Sequence, residues 1–336
     1  MNKYLLIYHK EDNDGIISGA LINKWLKFTY KEDANVTLCP STYSELSELW
    51  ESGEVANFWH NEYDYVIMTD LSFNEIKAMK YLKNTFKNHF IWIDHHAPAI
   101  QASIKEGYSG LEGYRDINQS AILNAYRYFY DPLNIARENG TLPNVLRVLS
   151  AYDSFSYERE GYTLDYVEAV NLGANSTYEL DFDKCTQMLN IILYYDYAEY
   201  VWKASIHNDC ILENLENCGN TIQQYERQKN KKIIADYGDG GWLIENTNRK
   251  CIVLFIQGQT SSIMFDSVKH LYSNAAVFKR TPTGDWVMSL YNTNKNDNFH
   301  CGEYLKEKYN GGGHQGAAGC TLSESKFLKM LKTKTI

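Results

Sequence analysis

Short apolar runs alternate with polar loops and helix-forming segments over the first part of the chain, and this alternation leaves few folds open. The runs KYLLIY, VTLCP, YDYVIMTD and FIWID predict strands, whereas segments such as SELSELW and NEIKAMKYLKNTF have helical spacing. Strands that alternate with helices form a mainly parallel sheet. The sequence therefore predicts an α/β domain that binds its ligand beyond the carboxyl ends of the strands.

The ends of these predicted strands carry carboxylate and imidazole side chains. Asp94, His95 and His96 follow the apolar run IWI, and three adjacent ionisable groups at that place are costly to desolvate unless they bind something. A single strand-end aspartate is more often a helix cap, so the coincidence of several carries the prediction. Carboxylates with some imidazole suit hard divalent cations such as Mn²⁺. The candidate metal ligands are His9, Asp12, Asp14, Asp70, His95 and Asp153.

Five motifs in this order resemble the DHH phosphoesterases, and together they extend from residue 4 to about residue 322. They are an H-x-x-D-x-D-G segment that begins at His9, a strand that ends in TD at Asp70, the DHH triplet at Asp94, a later Asp153 and a distal GGGH that ends at His314. Many members of the family have one more residue between the histidine and the first aspartate of the first motif. The order and spacing of the five motifs are far more specific than any one of them.

The resemblance implies a site with two divalent ions, Mn²⁺ by family preference or Mg²⁺, that share Asp70 as a bridging ligand and activate a water for attack on phosphorus. Among the catalytic candidates, Asp94 is expected to orient His95, and His96 is expected to face the scissile phosphate or the leaving group. One ion is expected on His9, Asp12 and Asp70, and the other on Asp14, Asp70, His95 and Asp153.

The segment YNGGGHQGAAGC near the end of the chain lets backbone N–H groups approach an anion closely. It resembles the substrate-binding motif of the DHH-associated C-terminal domain, although Asn310 replaces a fourth glycine. The strand motif that often contains an arginine here reads SLYN, with Tyr291 in its third position. Two interpretations stay open: Arg280 or Tyr291 substitutes for the arginine, by charge or by stacking on a base, or the preferred substrate is atypical. The predicted substrate-binding residues are Ser289, Arg280, Gly312, Gly313 and His314.

The rest of the chain predicts helices, a connector and a second domain. QSAILNAYRYFY and LPNVLRVLSAYDSF have helical spacing, and Ser120 or Asn118 is expected to cap the first of these helices. A long polar, helix-prone stretch ends at glycines near residue 238, and KCIVLFIQ, NAAVFKR and WVMSLYN follow it as predicted strands. We predict a catalytic domain over residues 1–205, a helical connector over 206–240 and a smaller α/β domain over 241–336.

Composition narrows the functional class. The net charge of −9 argues against a protein that coats long nucleic acid, because that mode depends on many phosphate neutralisations. The seven cysteines are scattered and never spaced as Cys-x-x-Cys, which argues against disulfides or a structural zinc site. No run approaches the roughly 20 apolar residues that span a bilayer. We therefore expect a cytoplasmic protein without a membrane or long-duplex partner, and a homodimer is left open.

These observations favour a metal-dependent phosphodiesterase that hydrolyses short oligonucleotides or linear or cyclic dinucleotides to nucleoside monophosphates. A single-strand-specific exonuclease is the main alternative, followed by a phosphatase of pAp-type nucleotides or of inorganic polyphosphate. The glycine-rich segment weighs against polyphosphate, because it suits a nucleotide better. A nucleotide-binding module without catalysis is the non-enzymatic alternative, and the presence of all the expected ligands argues against it.

Overall fold

The protein consists of two compact units, Met1–Ile222 and Gln223–Ile336. The structure, a computed structural model, describes residues 1–57, 59–108, 110–130, 142–196, 201–258, 260, 262–294, 297–313 and 315–336. Across these ranges, no helix has the length and apolar character needed to cross a membrane. The seven cysteines are free.

The first unit is built on a four-stranded parallel sheet, as the alternation of strands and helices predicts. The strand order is β2-β1-β3-β4, and helices flank the sheet. Its elements are β1 (Asn2–His9), α1 (Asn13–Tyr30), β2 (Ala34–Ser41), α2 (Tyr43–Glu51), α3 (Glu54–Asn57), α4 (Trp59–Glu62), β3 (Tyr65–Thr69), α5 (Ile76–Phe86), β4 (Phe90–Ile93), α6 (Ala97–Lys105), α7 (Ala121–Phe129), α8 (Asn144–Asp153), α9 (Leu164–Tyr178), α10 (Phe182–Ile192), an antiparallel pair β5 (Leu193–Asp196) and β6 (Val201–Ala204), and α11 (Asn208–Tyr237), which continues into the second unit.

The central strands contain continuous apolar runs because both faces of the sheet are covered. Leu6 and Ile67 pack into one core, whereas the alternate residues Ile7 and Val66 pack into another on the opposite face. Parallel sheets that are buried on both faces have such continuous apolar strands. The polar side chains are therefore confined to the strand ends, where the candidate ligands lie.

Helix α1 crosses β1 at very short distance, and this fixes the first motif. Asp12 is the N-cap of α1, and its Oδ1 accepts a hydrogen bond from the backbone N–H of Gly15 at 2.9 Å. A Cβ atom at Gly15 would lie 2.3 Å from the carbonyl oxygen of His9. Only glycine allows this approach, which holds the start of α1 against the end of β1.

The predicted cap of α7 was wrong. Ser120 occupies the N-cap position, but neither its hydroxyl nor the side chain of Asn118 accepts from the first N–H groups of the helix. Instead, the carboxylate of Asp14 accepts from Ala121 N–H at 2.7 Å and from Ile122 N–H at 2.9 Å. A buried carboxylate from α1 makes stronger, charge-assisted hydrogen bonds than a local hydroxyl.

The second unit contains a six-stranded mixed sheet with the order β11-β12-β10-β9-β8-β7, in which β8 and β9 are parallel and the other pairs antiparallel. Strands β8, β9 and β10 agree with the prediction. Strands β7, β11 and β12 were missed because their glycine and alanine content lowers β-propensity. The elements are β7 (Asp239–Leu243), β8 (Lys250–Phe255), β9 (Asn274–Arg280), β10 (Trp286–Asn292), α12 (Cys301–Tyr309), β11 (Gly312–Gly313), β12 (Ala317–Leu322) and α13 (Glu324–Thr333), with 3-10 helices at Lys31–Asp33, Lys87–His89 and Ser262–Val268.

Candidate metal centre

The carboxyl edge of the parallel sheet brings the predicted ligands together. His9 is the last residue of β1, Asp70 follows β3, and the DHH triplet follows β4. Asp12 and Asp14 come from the start of α1, and Asp153 ends α8. Three groups have ligand atoms within 4.8 Å of one another, and they are His9 with Asp12 and Asp70, Asp14 with His95 and Asp153, and Asp70 with His95 and His96.

The first group keeps His9 despite the shorter spacing of its motif. Its Nδ1 lies 2.9 Å from Asp12 Oδ2 and 3.6 Å from Asp70 Oδ2. The exposed carboxylate of Glu11 lies 3.4 Å from its other ring nitrogen. The loss of one residue between His9 and Asp12 therefore does not remove the imidazole from the cluster.

The second group is centred on His95. Its Nε2 lies 3.1 Å from Asp153 Oδ2, 3.3 Å from Asp70 Oδ1 and 3.6 Å from Asp14 Oδ2. Asp70 thus directs one carboxylate oxygen toward His9 and the other toward His95. A carboxylate shared by two neighbouring ligand sets is what a two-ion centre requires of its bridge.

The backbone at Asp70 is held in an unusual conformation. Its φ is +57°, in the left-handed region, and its N–H donates to the carbonyl oxygen of Ile93 at 3.0 Å. Asp tolerates this region better than most residues because its short polar side chain interacts locally. The turn places the carboxylate between the ends of β1 and β4, 1% exposed.

Asp94 holds the ring of His96, whereas it was expected to orient His95. Its Oδ1 accepts from the backbone N–H of His95 at 2.7 Å, from the backbone N–H of His96 at 3.1 Å and lies 2.8 Å from the Nδ1 of His96. The turn after β4 directs both N–H groups toward the carboxylate, so the ring of His95 is left to face the other aspartates. Asp94 therefore supports His95 only through the hydrogen bond from its backbone N–H.

Buried atoms without partners show that the cluster fits a cation. Among the described residues, Asp70 Oδ1, His95 Nε2 and both ring nitrogens of His9 are buried and make no regular hydrogen bond. Burial raises the pKa of Asp14 and of Asp70, and repulsion from Asp153 adds to both shifts. Bound divalent cations would satisfy these atoms and neutralise the carboxylates, and the oxygen and imidazole donors suit Mn²⁺ or Mg²⁺.

The histidines respond to the same excess of negative charge. Burial lowers the pKa of His9, but its close contacts with the carboxylates of Asp12 and Asp70 raise it to about 10. Burial likewise lowers the pKa of His95, and close contacts with the carboxylates of Asp153 and Asp70 raise it to about 11. Without a bound cation, the carboxylates therefore favour the protonated form of the imidazoles. The raised pKa values of the histidines and the unpaired carboxylate oxygens thus have the same cause, an excess of negative charge.

A mainly apolar pocket of about 310 Å³ lies beside His96. Tyr43, at the start of α2, has its ring centre 6.1 Å from that of His96 and 5.8 Å from that of His9. Burial and the charges of Asp94 and Asp70 raise the pKa of Tyr43, so its hydroxyl is neutral. The sequence analysis missed Tyr43, because an aromatic residue after a loop has no local functional signal. The pocket is also lined by Phe73, Met79, Trp92 and Pro98.

Three of the predicted substrate-binding residues lie together in the second unit. Ser289 on β10 is paired with Gly319 on β12, and Gly319 is paired with Gly312 on β11. Gly313 has a φ of +142°, and a Cβ there would lie 2.5 Å from the Cα of Ala318, so glycine is required. We call Ser289, Gly312 and Gly313 the glycine row. His314 lies outside the described residues.

Arg280 and Tyr291 do not join the glycine row. Arg280 on β9 is paired with Trp286 on β10. Trp286 is three residues from Ser289, so the side chains of Arg280 and Ser289 lie on opposite faces of the sheet. The guanidinium of Arg280 lies 3.8 Å from the carboxylate of Glu324. Tyr291 is 8% exposed, and its hydroxyl donates to the carbonyl oxygen of Thr260 at 3.1 Å. Asn310 takes the left-handed conformation that ends α12, a place where asparagine commonly replaces glycine.

No protein-family model matches this sequence, and no curated protein is significantly similar to it. The structure, however, resembles a pGpG-specific phosphodiesterase, PggH, from Vibrio cholerae, with a TM-score of 0.51, 13% identity, and coverage of 99% of this chain and 97% of that chain. The chain shares the fold of this phosphodiesterase.

Two further solved structures also align with the chain. An uncharacterized protein from Helicobacter pylori has a TM-score of 0.39 at 14% identity, with coverage of 99% of both chains. An exopolyphosphatase-related protein from Bacteroides fragilis has a TM-score of 0.45 at 14% identity, with coverage of 99% of this chain and 91% of that chain. In this fold, the motif residues of the first unit occupy strand ends and helix termini. The departures from the DHH pattern are the shorter spacing after His9 in the first unit and Asn310 and Tyr291 in the second.

Proposed function

We propose that this protein is a metal-dependent phosphodiesterase that hydrolyses short nucleotides to nucleoside monophosphates, with a linear 5′-phosphorylated dinucleotide as the first candidate substrate. The observation that carries the proposal is the shared carboxylate of Asp70, which contacts His9 on one side and His95 on the other. The fold it shares with a pGpG-specific phosphodiesterase supports the choice of a dinucleotide.

The chain's residues have separate tasks in this proposal. His9, Asp12, Asp14, Asp70, His95 and Asp153 would hold two divalent ions, which when bound would activate a water and neutralise charge on the phosphate. Asp94 orients His96 through Nδ1, so that Nε2 faces the substrate. Burial lowers the pKa of His96, but the hydrogen bond to Asp94 raises it above the usual range. A proton on Nε2 would then pass to the leaving oxygen.

The surroundings of His96 favour a nucleotide over inorganic polyphosphate. The pocket lined by Tyr43, Phe73 and Trp92 has the aromatic character and size that suit a nucleobase. The glycine row and His314 are proposed as an anion-binding segment of the second unit that acts through backbone N–H groups. Polyphosphate has no apolar part that would use the aromatic pocket.

The test is hydrolysis of a substrate panel by the purified protein with Mn²⁺. A 5′-phosphorylated dinucleotide is expected to be cleaved faster than a cyclic dinucleotide, pAp or long single-stranded DNA or RNA. EDTA should abolish activity, and Asp70→Asn should lower kcat by more than about a hundredfold, because several kcal/mol of charge stabilisation is lost. If Asp70→Asn is as active as wild type, the two-metal hypothesis fails.

Asp64→Asn is the matched control. Asp64 immediately precedes β3, at the end opposite Asp70, and its exposed carboxylate accepts a hydrogen bond from the backbone N–H of Lys3 at 2.8 Å. The activity of the Asp64→Asn variant should equal that of wild type. Release of mononucleotides from long strands alone would overturn the dinucleotide proposal and indicate an exonuclease.

A further inference from the structure

A polar pocket of about 390 Å³, distinct from the apolar pocket beside His96, lies between α7 and α8 in the first unit. Three arginines line it, Arg127 on α7, Arg147 on α8 and Arg159 in the turn that follows α8. The acidic groups that the described lining contributes are Asp116 and Glu160. No part of the mechanism above uses this pocket.

The two helical arginines are poorly compensated. Arg147 is half-buried, and in the described part of the chain its guanidinium has neither an ion pair nor a hydrogen-bond partner. Arg127 is also half-buried, and among the described residues its guanidinium donates to the hydroxyl of Tyr114 at 3.5 Å, while its charge contributes to lowering the pKa of Asp116. The carboxylate of Asp116 is occupied by its own loop, where it accepts from the backbone and side chain of Asn118 and from the side chain of Gln119. A half-buried guanidinium without a partner, as at Arg147, favours an anion.

A buried amide oxygen points to the same conclusion. Gln119 lines the pocket and is 8% exposed, and its Oε1 accepts no hydrogen bond from any described residue. An unpaired buried acceptor is costly unless a ligand donates to it. A ligand that joins a phosphate to N–H or O–H groups would satisfy the arginines and this oxygen together.

The position of the pocket relates it to the metal centre. Helix α7 begins at the N–H groups bound by Asp14, and Arg127 lies six residues along it. Helix α8 ends at Asp153, and Arg147 lies six residues before that end. Along each helix axis, the backbone of the arginine is therefore about 9 Å from the helix end that adjoins the metal centre, at 1.5 Å per residue. This distance is comparable with the length of one nucleotide unit.

We propose that this arginine pocket binds the terminal phosphate of the substrate, one nucleotide away from the scissile phosphodiester. Arg127 and Arg147 bind the phosphate oxygens, and Gln119 accepts a hydrogen bond from the attached sugar or base. Arg159 is exposed and already donates to the carbonyl oxygen of Asn118 at 2.6 Å. The proposal rests on the proposed function for the identity of the substrate. The metal centre by itself would recognise only the scissile phosphate. A second phosphate site one nucleotide away would select substrates by their length and by their phosphorylated end.

The experiment compares a 5′-phosphorylated dinucleotide with the same dinucleotide without that phosphate. Calorimetric titration in EDTA measures binding without hydrolysis, and kcat/KM with Mn²⁺ is measured separately. The wild-type protein should bind the phosphorylated form at least about tenfold more tightly, since charge-assisted hydrogen bonds are lost without the phosphate. Arg147→Gln should remove most of this preference and leave the affinity for the unphosphorylated form unchanged.

Arg127→Gln is a second variant for the case in which Arg147→Gln does not fold, and melting temperatures check both. Lys184→Gln is the matched control, because Lys184 forms a surface ion pair with Glu179 at 2.7 Å in the same unit and does not line the pocket. Its preference should equal that of wild type.

Equal binding of both dinucleotides by wild type, or an equal loss for both in the arginine variants, overturns the proposal. Inorganic phosphate that binds in an Arg147-dependent manner without competing with the dinucleotide also overturns it, since the pocket then holds a separate anion. A binding preference without any hydrolysis would leave the pocket standing and refute the proposed function. Hydrolysis without a preference would refute the pocket alone.

Discussion

Within the DHH motif, the buried Asp94 has a different role from the two histidines that follow it. Its Oδ1 accepts from two backbone N–H groups and contacts the ring of His96, and it belongs to none of the ligand groups. Asp94→Asn keeps an acceptor but removes the charge that holds the ring. We expect kcat to fall about tenfold to a hundredfold, as for other residues that orient catalytic groups.

Mn²⁺ affinity measured by calorimetry distinguishes this role from that of a ligand. The affinity of Asp94→Asn should stay within about threefold of wild type, because the orienting charge acts mainly on His96. An affinity as low as that of Asp70→Asn would make Asp94 a ligand and refute the assignment.

A second charged residue controls stability in the C-terminal unit. Asp297 accepts from the guanidinium of Arg249 and from the backbone N–H of Phe299. Burial raises the pKa of Asp297, but these hydrogen bonds lower it below the ordinary value. A carboxyl with a lowered folded-state pKa contributes stability that is fully present above its unfolded pKa, about 4, and is lost as the pH falls through its folded pKa.

Asp297→Asn should therefore destabilise the protein by about 2 kcal/mol at pH 7, and the difference from wild type should narrow below pH 4. Urea unfolding measures this change in the free energy of unfolding, and hydrogen exchange of β10 measures it within the C-terminal unit. Asp285→Asn, in the exposed turn before β10, should not change stability. A difference that is constant from pH 7 to pH 3.5 would contradict the role of the charge.

At the level of elements, the crossing of α1 and β1 sets the geometry of the first ligand group. A Cβ at Gly15 would meet the carbonyl oxygen of His9 at 2.3 Å and its Cβ at 2.5 Å. Gly15→Ala must move the helix start away from the strand end, since backbone atoms cannot yield separately. Overpacking of this kind costs about 1–3 kcal/mol.

We expect Gly15→Ala to lower the melting temperature and to weaken Mn²⁺ binding together, because Asp12 and Asp14 move with the helix. Gly110→Ala is the control, since a Cβ there meets nothing within 4 Å. A loss of stability with unchanged metal affinity would show that the crossing does not position the ligands.

At the scale of the whole molecule, the ligands all belong to the first unit, Met1–Ile222. A ligand that binds only the folded state stabilises it by about 2.7 kcal/mol at a hundred times its dissociation constant. Mn²⁺ should therefore slow hydrogen exchange at the ends of β1, β3 and β4 and in α8, and leave β8, β9 and β10 unaffected. Asp70→Asn should remove the protection, and Mn²⁺-dependent protection of β8 would contradict the assignment.

Much of the first unit follows from local pattern, because apolar strands and amphipathic helices have periods that a sequence displays directly. The second unit was harder, since β11 and β12 are short and rich in glycine and alanine. The domain limits 1–205, 206–240 and 241–336 stay predictions, although the boundary between the compact units falls within α11.

The sequence by itself determined the α/β class, the strand-end position of the ligands and the chemistry of their side chains, because these depend on residue type and on spacing along the chain. Tertiary structure alone decided that Asp14 caps α7, that Asp94 holds His96, and that Tyr43 and Arg147 line pockets. The cap and the pocket linings join residues from different elements, and no local pattern records which distant side chain will supply a partner. The contact of Asp94 with His96 is local, but the turn after β4 decides which of the two histidine rings the carboxylate meets.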